Sequence, residues 1–99
     1  MDIQRQLKTA ISSGNLLFGQ KQAASSCANG EARLIILAAN CPQEWIDEIH
    51  ARHPDVAKHR VGLVNRELGT ACAKPFAISA ISVIDAGGSD LLTLRSNIE

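Results

Sequence analysis

The chain has 99 residues, of which 45% are hydrophobic, and its ten Lys and Arg balance its ten Asp and Glu, so the net charge is zero. A chain of this length can bury one hydrophobic core, and we predict a single domain over residues 1–99. Zero net charge argues against nonspecific wrapping of nucleic acid, because that binding depends on neutralising phosphates. The longest apolar run, residues 34–39, is far shorter than the roughly twenty residues that cross a membrane.

The elements predicted from the sequence are short and alternate between helix and strand. In chain order they are a helix over residues 3–11, a strand over 16–18, a helix over 20–28, a strand over 33–39, a helix over 43–53, a strand over 60–64, a short helix from residue 65, a strand over 78–84 and a final segment, 91–94, that is either a helix or an edge strand. Residues 34–39 lack polar alternation, which is typical of a central strand covered on both faces. The order predicts the α/β class, as a three-layer α/β/α sandwich with a mixed sheet of four to five strands.

Local signals predict where the helices begin and end. Asp2 is suited to cap the first helix and Asn65 the last, in whose first turn Glu67 adds a favourable negative charge. Gly30 is predicted to stop the second helix in the left-handed conformation. Pro75 is predicted to end the last helix.

The residues after this last helix combine a cation with an aromatic ring. Lys74 and Phe76 suit phosphate contact and stacking with an unpaired nucleotide. The alternative, equally open from spacing alone, is that Phe76 starts the next strand and packs inward. Residues 56–76 carry four cations and one anion, which is compatible with a small electropositive docking surface.

The cysteines and histidines do not form a recognisable metal or catalytic motif. The three cysteines are far apart, with no CxxC pair and no His at chelating spacing, so we expect no metal and no cofactor. His50, His53 and His59 could in principle serve as acids or bases and Cys72 as a nucleophile. No His lies beside a Cys or Ser in a suitable arrangement, so we predict no catalytic residue and no enzyme. An odd number of scattered cysteines in a chain without a signal peptide is typical of a reducing compartment, here the cytoplasm.

A protein-binding function rests mainly on Trp45. This residue lies on the apolar stripe of the third helix, where it could contact a partner, although core packing is more usual for such a Trp. The sequence contains no long heptad and no excess apolar stripe, so we predict a monomer when the protein is free.

Four separated segments match a known family in type and spacing. They are Gly19-Gln20-Lys21, residues 34–42 with the sequence LIILAANCP, residues 67–76 with the sequence ELGTACAKPF, and residues 83–92 with the sequence VIDAGGSDLL. Over nearly its full length the chain resembles ribosomal protein thirty-e of the large subunit, in the superfamily of small α/β/α proteins that bind kink-turn RNA. The resemblance implies a cytoplasmic, ribosomal protein that binds ribosomal RNA and neighbouring ribosomal proteins; the alternative is a non-ribosomal kink-turn RNA-binding or protein-interaction module.

The resemblance also implies recognition of a bent RNA internal loop by loop-to-helix junctions on one edge of the sandwich. The implied RNA-binding residues are Gly19, Gln20, Lys21 and Gln22, then Asn40, Cys41 and Pro42, and finally Asn65, Arg66, Glu67, Lys74 and Phe76. In this interpretation Gly19 allows close approach of the backbone to RNA, and Lys21 adds charge where helix amides face phosphate. Asn40 offers a donor and an acceptor to a base edge, or simply forms a turn. Phe76 stacks on an extruded base.

Two segments distinguish this chain from its superfamily. Residues 63–66 read Leu-Val-Asn-Arg, where many members of the thirty-e family have a glycine followed by small polar residues. Residues 20–22 read Gln-Lys-Gln, where sister families place an Asn-Glu pair that reads sheared purine pairs. The second difference is the one expected of the thirty-e branch.

Overall fold

Residues 2–98 form alternating helices and strands in a computed structural model. In chain order these are α1 (Ile3–Ser13), β1 (Asn15–Phe18), α2 (Gln20–Ala28), β2 (Leu34–Leu37), α3 (Gln43–Arg52), β3 (Ala57–Arg60), α4 (Asn65–Ala71), β4 (Ala80–Asp85) and a 3₁₀ helix over Leu91–Thr93. The 3₁₀ helix decides between the two interpretations of residues 91–94. Met1 and Glu99, the ends of the predicted domain, lie outside the described residues. Between residues 2 and 98, no helix has the length and apolar character needed to cross a bilayer.

The four strands within residues 2–98 form one mixed sheet in the order β1-β4-β2-β3. Strand β4 is antiparallel to both of its neighbours, whereas β2 and β3 are parallel. Helices α1 and α4 cover one face of the sheet, and α2 and α3 cover the other. The predicted α/β fold with a mixed four-stranded sheet is confirmed.

Strand β2 supplies side chains to both cores. All four of its residues are buried, as predicted for a central strand. Leu34 and Ile36 pack with α1 and α4, whereas Ile35 and Leu37 pack with α2 and α3, because successive side chains of an extended chain point to opposite faces. Trp45 of α3 is half-buried against the core between the sheet and helices α2 and α3, which we call the second core. This is the packing role expected for such a residue.

The predicted caps are correct for the first two helices and wrong for the last. Asp2 caps α1 by accepting the Arg5 N–H, and Gly30 follows α2 with φ +72°. In α4, however, the capping position belongs to Val64, and Asn65 is the first helical residue. The Glu67 carboxylate accepts the Val64 N–H at 3.0 Å, which is the reciprocal half of a capping box, and Asn65 accepts the Arg66 N–H from inside the helix.

The end of α4 also differs from the prediction. The helix ends at Ala71, before Pro75 is reached. Ala73 then adopts a left-handed conformation with φ +57°, and the Lys74 N–H returns to the Gly69 carbonyl at 2.9 Å. This is the hydrogen-bond pattern that closes helices without proline, so Pro75 follows the stop and does not cause it.

The third strand lies three residues earlier than predicted. Residues 57–60 pair with β2, whereas residues 61–64 form the loop that leads into α4. Val61 still donates its N–H to the Leu37 carbonyl at 2.9 Å, and its side chain is buried in that loop. The prediction failed because Lys58, a charged residue, is fully buried in the strand, while the apolar residues that suggested a strand pack from the loop.

Residues 95–98 run beside β3 at the edge of the sheet. The Ser96 hydroxyl donates to the Lys58 carbonyl at 3.1 Å. The Asn97 side chain accepts the Arg60 N–H at 2.6 Å and donates to the Arg60 carbonyl at 3.0 Å. These bonds satisfy backbone groups that an edge strand otherwise presents to other chains.

The buried ammonium of Lys58 gives stability a specific dependence on pH. Its Nζ lies 3.1 Å from His50 Nδ1 and donates to the His53 carbonyl at the end of α3. Burial lowers the pKa of Lys58 below its usual 10.5, although Cys27 and Asp55 act in the opposite direction. Between the lowered pKa and 10.5 the unfolded state therefore binds more protons than the folded state, and the contribution of Lys58 to stability rises with pH.

We accordingly expect the wild type to gain stability relative to Lys58→Met as the pH rises through this window. The cost of burying the charge is fully present below the folded-state pKa and disappears towards 10.5. Urea unfolding of both proteins over a pH series measures the difference, in which the titration of groups common to both largely cancels. A difference that does not change with pH would contradict the burial of a charged Lys58.

Candidate functional site

The predicted site residues converge on one edge of the sheet. Strands β1, β2 and β3 all end there, and β4 begins there, because Phe18 pairs with Ile81 and Leu37 pairs with both Ala80 and Arg60. Helices α2, α3 and α4 all start from this edge, which we call the junction edge. Each helix start places partly positive N–H groups there, so the backbone itself favours an anionic ligand.

The first junction is the turn from β1 into α2 at Gly19. Its φ of +103° lies in a region that other residues rarely adopt, and its N–H donates to the Ala80 carbonyl at 2.8 Å. An added Cβ would meet no protein atom within 4 Å, so the fold itself needs glycine here for backbone conformation and not for space. No side chain caps α2, while Lys21 and Gln22 are exposed and Gln20 is half-buried beside them. Backbone donors and one cation thus face outward together.

The second junction is tied to the start of α4 by a pair of asparagines. The Asn40 side chain accepts the Asn65 backbone N–H at 2.8 Å and donates to Asn65 Oδ1 at 3.1 Å. The same Oδ1 also accepts the Arg66 N–H at 2.8 Å. Much of the hydrogen-bonding capacity that the sequence offered to a base edge is therefore used within the protein, where it fixes the two junctions relative to each other.

The two residues after Asn40 have different exposure. Pro42 is exposed at the capping position of α3. The Cys41 side chain is buried in the second core, so only its backbone faces the junction edge. Burial raises the pKa of the Cys41 thiol, with Arg60 opposing the effect, and burial raises the pKa of Cys72 to about 11. Both thiols remain protonated at neutral pH and are poor nucleophiles.

The third junction is the loop between α4 and β4. Phe76 is 55% exposed, which decides between the two interpretations of this residue: it does not pack inward. Arg66, Lys74 and Phe76 line a groove of about 450 Å³, together with Thr70, Pro75 and Ala77. Lys74 is half-buried, and its Nζ lies 4.8 Å from the centroid of the Phe18 ring. The groove therefore combines two cations with an exposed aromatic ring.

Sequence reasoning missed two residues of this junction. Phe18 was predicted only as a strand residue, yet its ring faces the Lys74 ammonium. Ala73 carried no sequence signal for its positive φ, because that conformation usually belongs to glycine.

Ala73→Gly is expected to stabilise the protein. The left-handed conformation costs an L-residue about 1 kcal/mol, and glycine removes most of that cost. Glycine also makes the unfolded protein more flexible, which offsets about 0.4–1 kcal/mol of this gain in stability. We therefore expect a net stabilisation of up to about 0.5 kcal/mol, or a rise of a few degrees in melting temperature. Thermal unfolding measures it, with Ala28→Gly at the exposed end of α2 as the control that must destabilise.

The chain matches the sequence profile described as "Ribosomal protein L7Ae/L30e/S12e/Gadd45 family" over residues 1–93. The chain belongs to this family. Among its relatives is the "Large ribosomal subunit protein eL30" of Methanosphaerula palustris, 37% identical over 96% of this chain and 98% of the relative. The eL30 proteins of Methanospirillum hungatei (36% identical, 95% and 98% covered) and Methanococcus vannielii (33% identical, 97% and 93% covered) are similar over comparable lengths.

A solved structure confirms the architecture of this family member. The structure of a protein of unknown function from Bacillus halodurans C superposes with a TM-score of 0.76 at 25% identity and covers 93% of each chain. The family profile and the eL30 relatives confirm the resemblance to the thirty-e ribosomal proteins. These relatives are named as proteins of the large ribosomal subunit, in agreement with the prediction that the chain is not an enzyme. Within residues 2–98, no three His, Cys, Asp or Glu side chains lie close enough together to hold a metal ion.

Proposed function

We propose that the protein is a structural component of the large ribosomal subunit and binds ribosomal RNA at a kink-turn-like internal loop through the junction edge. The observation that carries the proposal is the convergence of three loop-to-helix junctions at one edge of the sheet. Relatives over nearly the whole chain bear the name of a large-subunit ribosomal protein. The whole chain, residues 1–99, acts as one RNA-binding domain.

The first junction supplies the phosphate contacts. Uncapped N–H groups at the start of α2 donate to phosphate oxygens. Gly19 has no Cβ, so the RNA backbone can come close to these N–H groups. Lys21 is exposed beside them and adds charge. Gln20 and Gln22 provide neutral donors and acceptors for the sugar or for a base edge.

The second and third junctions read the unpaired part of the loop. Phe76 offers an exposed ring on which an extruded base stacks, while Arg66 and Lys74 meet the adjoining phosphates. Asn40 and Asn65 are hydrogen-bonded to each other, so the side-chain amide of each has only part of its hydrogen-bonding capacity left for RNA. Glu67 acts indirectly by capping α4, and Cys41 and Pro42 contribute backbone and shape.

The expected partners and location follow from this role. The protein works in the ribosome, in the cytoplasm, where it also contacts neighbouring ribosomal proteins. Residues 95–98 bond to the edge strand β3, which reduces the tendency of that edge to pair with a second copy. We therefore expect a monomer when the protein is free of RNA.

Titration with a labelled kink-turn RNA and with a straightened duplex of the same composition tests the proposal. We expect preference for the kinked RNA, with an affinity that falls as salt rises. Lys21→Ala should weaken binding by roughly 3- to 10-fold and reduce the salt dependence, because it removes one phosphate contact.

The matched control is Arg52→Ala, a cation at the far end of α3 that pairs with Glu48 at 3.0 Å. This variant should bind like the wild type. Equal binding of the two RNAs would contradict kink-turn recognition. Equal weakening by Lys21→Ala and Arg52→Ala would contradict an RNA contact at the junction edge. Failure to bind either RNA would favour the alternative, a protein-interaction module.

A further inference from the structure

The most specific unexplained contact in the molecule is the one between Phe18 and Lys74. The Lys74 Nζ lies 4.8 Å from the centroid of the Phe18 ring, within the range in which a cation is attracted to an aromatic face. Phe18 is the last residue of β1, and Lys74 lies 56 positions later in the loop that precedes β4. The contact therefore joins the first and third junctions directly.

We propose that Phe18 is a positioning residue for RNA binding: its ring holds the Lys74 ammonium at the junction edge, ready to meet an RNA phosphate. This inference rests on the proposed function, because it assigns a residue outside the predicted site to that same interface. Phe18 itself touches no RNA and acts through Lys74.

The backbone of Lys74 is already fixed without Phe18. Its N–H donates to the Gly69 carbonyl at 2.9 Å, and Ala73 before it is held in the left-handed conformation. What remains free is the four-carbon side chain, which has many rotamers and loses much entropy when it binds a phosphate. The Phe18 ring restricts those rotamers before RNA arrives, so less freedom is lost on binding.

Phe18 can serve this purpose because one part of its side chain contacts the core and its ring also contacts Lys74. It is half-buried, and one part of the side chain packs against the core formed with α1 and α4. The sheet pairing of Phe18 with Ile81 fixes its backbone, and Gly19 follows at once with no side chain to cover the ring. The ring is thereby a rigid surface for Lys74 and not a mobile one.

The contact can first be tested in the free protein by NMR. Protons of the Lys74 side chain lie over an aromatic face and should show upfield ring-current shifts in the wild type, which Phe18→Leu should remove and Phe18→Tyr should keep. Leu preserves apolar packing but has no ring, and thermal unfolding verifies that the variant is folded. Lys74 shifts at their random-coil positions in the wild type would overturn the proposal.

The role in binding is tested by a double-mutant cycle on the kink-turn RNA. We expect Phe18→Leu to weaken binding by roughly 3- to 10-fold in the wild type and to have little further effect in a Lys74→Met background. Phe18→Tyr should bind like the wild type. A merely structural role for Phe18 would lower the affinity equally in both backgrounds.

The two proposals fail in different ways. Preference of the wild type for the kinked RNA together with additive effects of the two substitutions would overturn the role of Phe18 and leave the proposed function intact. Absence of that preference would overturn both. Coupled effects with a kinked-RNA preference would support both.

Discussion

Gly69→Ala is expected to destabilise the protein strongly and to displace the loop that carries Phe76. A Cβ on Gly69 would lie 2.0 Å from the Phe76 carbonyl oxygen and 3.1 Å from its carbonyl carbon, both of which are backbone atoms. The Gly69 carbonyl also accepts the Lys74 N–H, so the same residue holds the loop from its other side. Relief of the clash must move α4 away from the loop that contributes to the groove proposed to bind RNA.

The size of the effect follows from the competition between clash and helix propensity. Alanine favours a helix over glycine by about 1 kcal/mol, so a local effect alone would stabilise α4. We expect instead a loss of about 3 kcal/mol or more, because no flexible side chain can yield to the added methyl. For a domain of this size that corresponds to a fall of roughly 10–20 °C in melting temperature.

Thermal and urea unfolding measure this loss, and RNA titration below the melting temperature measures the effect on the site. The matched control is Gly62→Ala in the loop before α4, where an added Cβ meets no atom within 4 Å. Gly62→Ala should change stability by less than about 0.5 kcal/mol. Similar stability of Gly69→Ala and the wild type would show that α4 and the Phe76 loop are not packed as described.

Phe76→Ala is expected to cause the largest loss of RNA affinity without loss of the fold. The side chain is 55% exposed, so its removal creates no cavity in either core. Stacking of a base on an aromatic ring is worth about 1–3 kcal/mol by alanine substitution, which corresponds to roughly a 5- to 150-fold weaker affinity. Binding of the kink-turn RNA should fall within that range, while the melting temperature changes little.

Phe76→Leu separates stacking from simple apolar contact, because it keeps much of the apolar surface and removes the ring. It should bind almost as weakly as Phe76→Ala, whereas Phe76→Trp should retain affinity. Leu92→Ala removes an exposed apolar side chain of 38% exposure in the 3₁₀ helix, and it should leave affinity unchanged. Equal effects of Phe76→Ala and Leu92→Ala would contradict a stacking role.

The elements that the sequence predicted well are those whose signal is local. The cap at Asp2 depends on the side chain of one residue and the stop at Gly30 on the backbone freedom of one residue, and each lies where predicted. Strand β2 was recognisable because residues buried on both faces need no polar alternation. The alternation of helix and strand then restricted the fold to a layered sandwich.

The features that failed depend on residues far apart in the chain. Lys58 is buried in β3 because its ammonium reaches the carboxyl end of α3, a partner that no local pattern shows. Asn65 is the first residue of α4 and not its cap, and both its side chain and its backbone N–H are hydrogen-bonded to Asn40, 25 positions earlier. In both cases a polar side chain was interpreted from its neighbours in sequence, while its hydrogen-bond partner came from another element.

The candidate site divides in the same way. The sequence by itself predicted which residues belong to it, since residue types and spacing matched a known family. Tertiary structure alone decided that Phe76 is exposed, that Cys41 faces the core and that Lys74 lies over Phe18. The physical reason is that backbone conformation depends on nearest neighbours, whereas the exposure and direction of a side chain depend on which elements the sheet brings together.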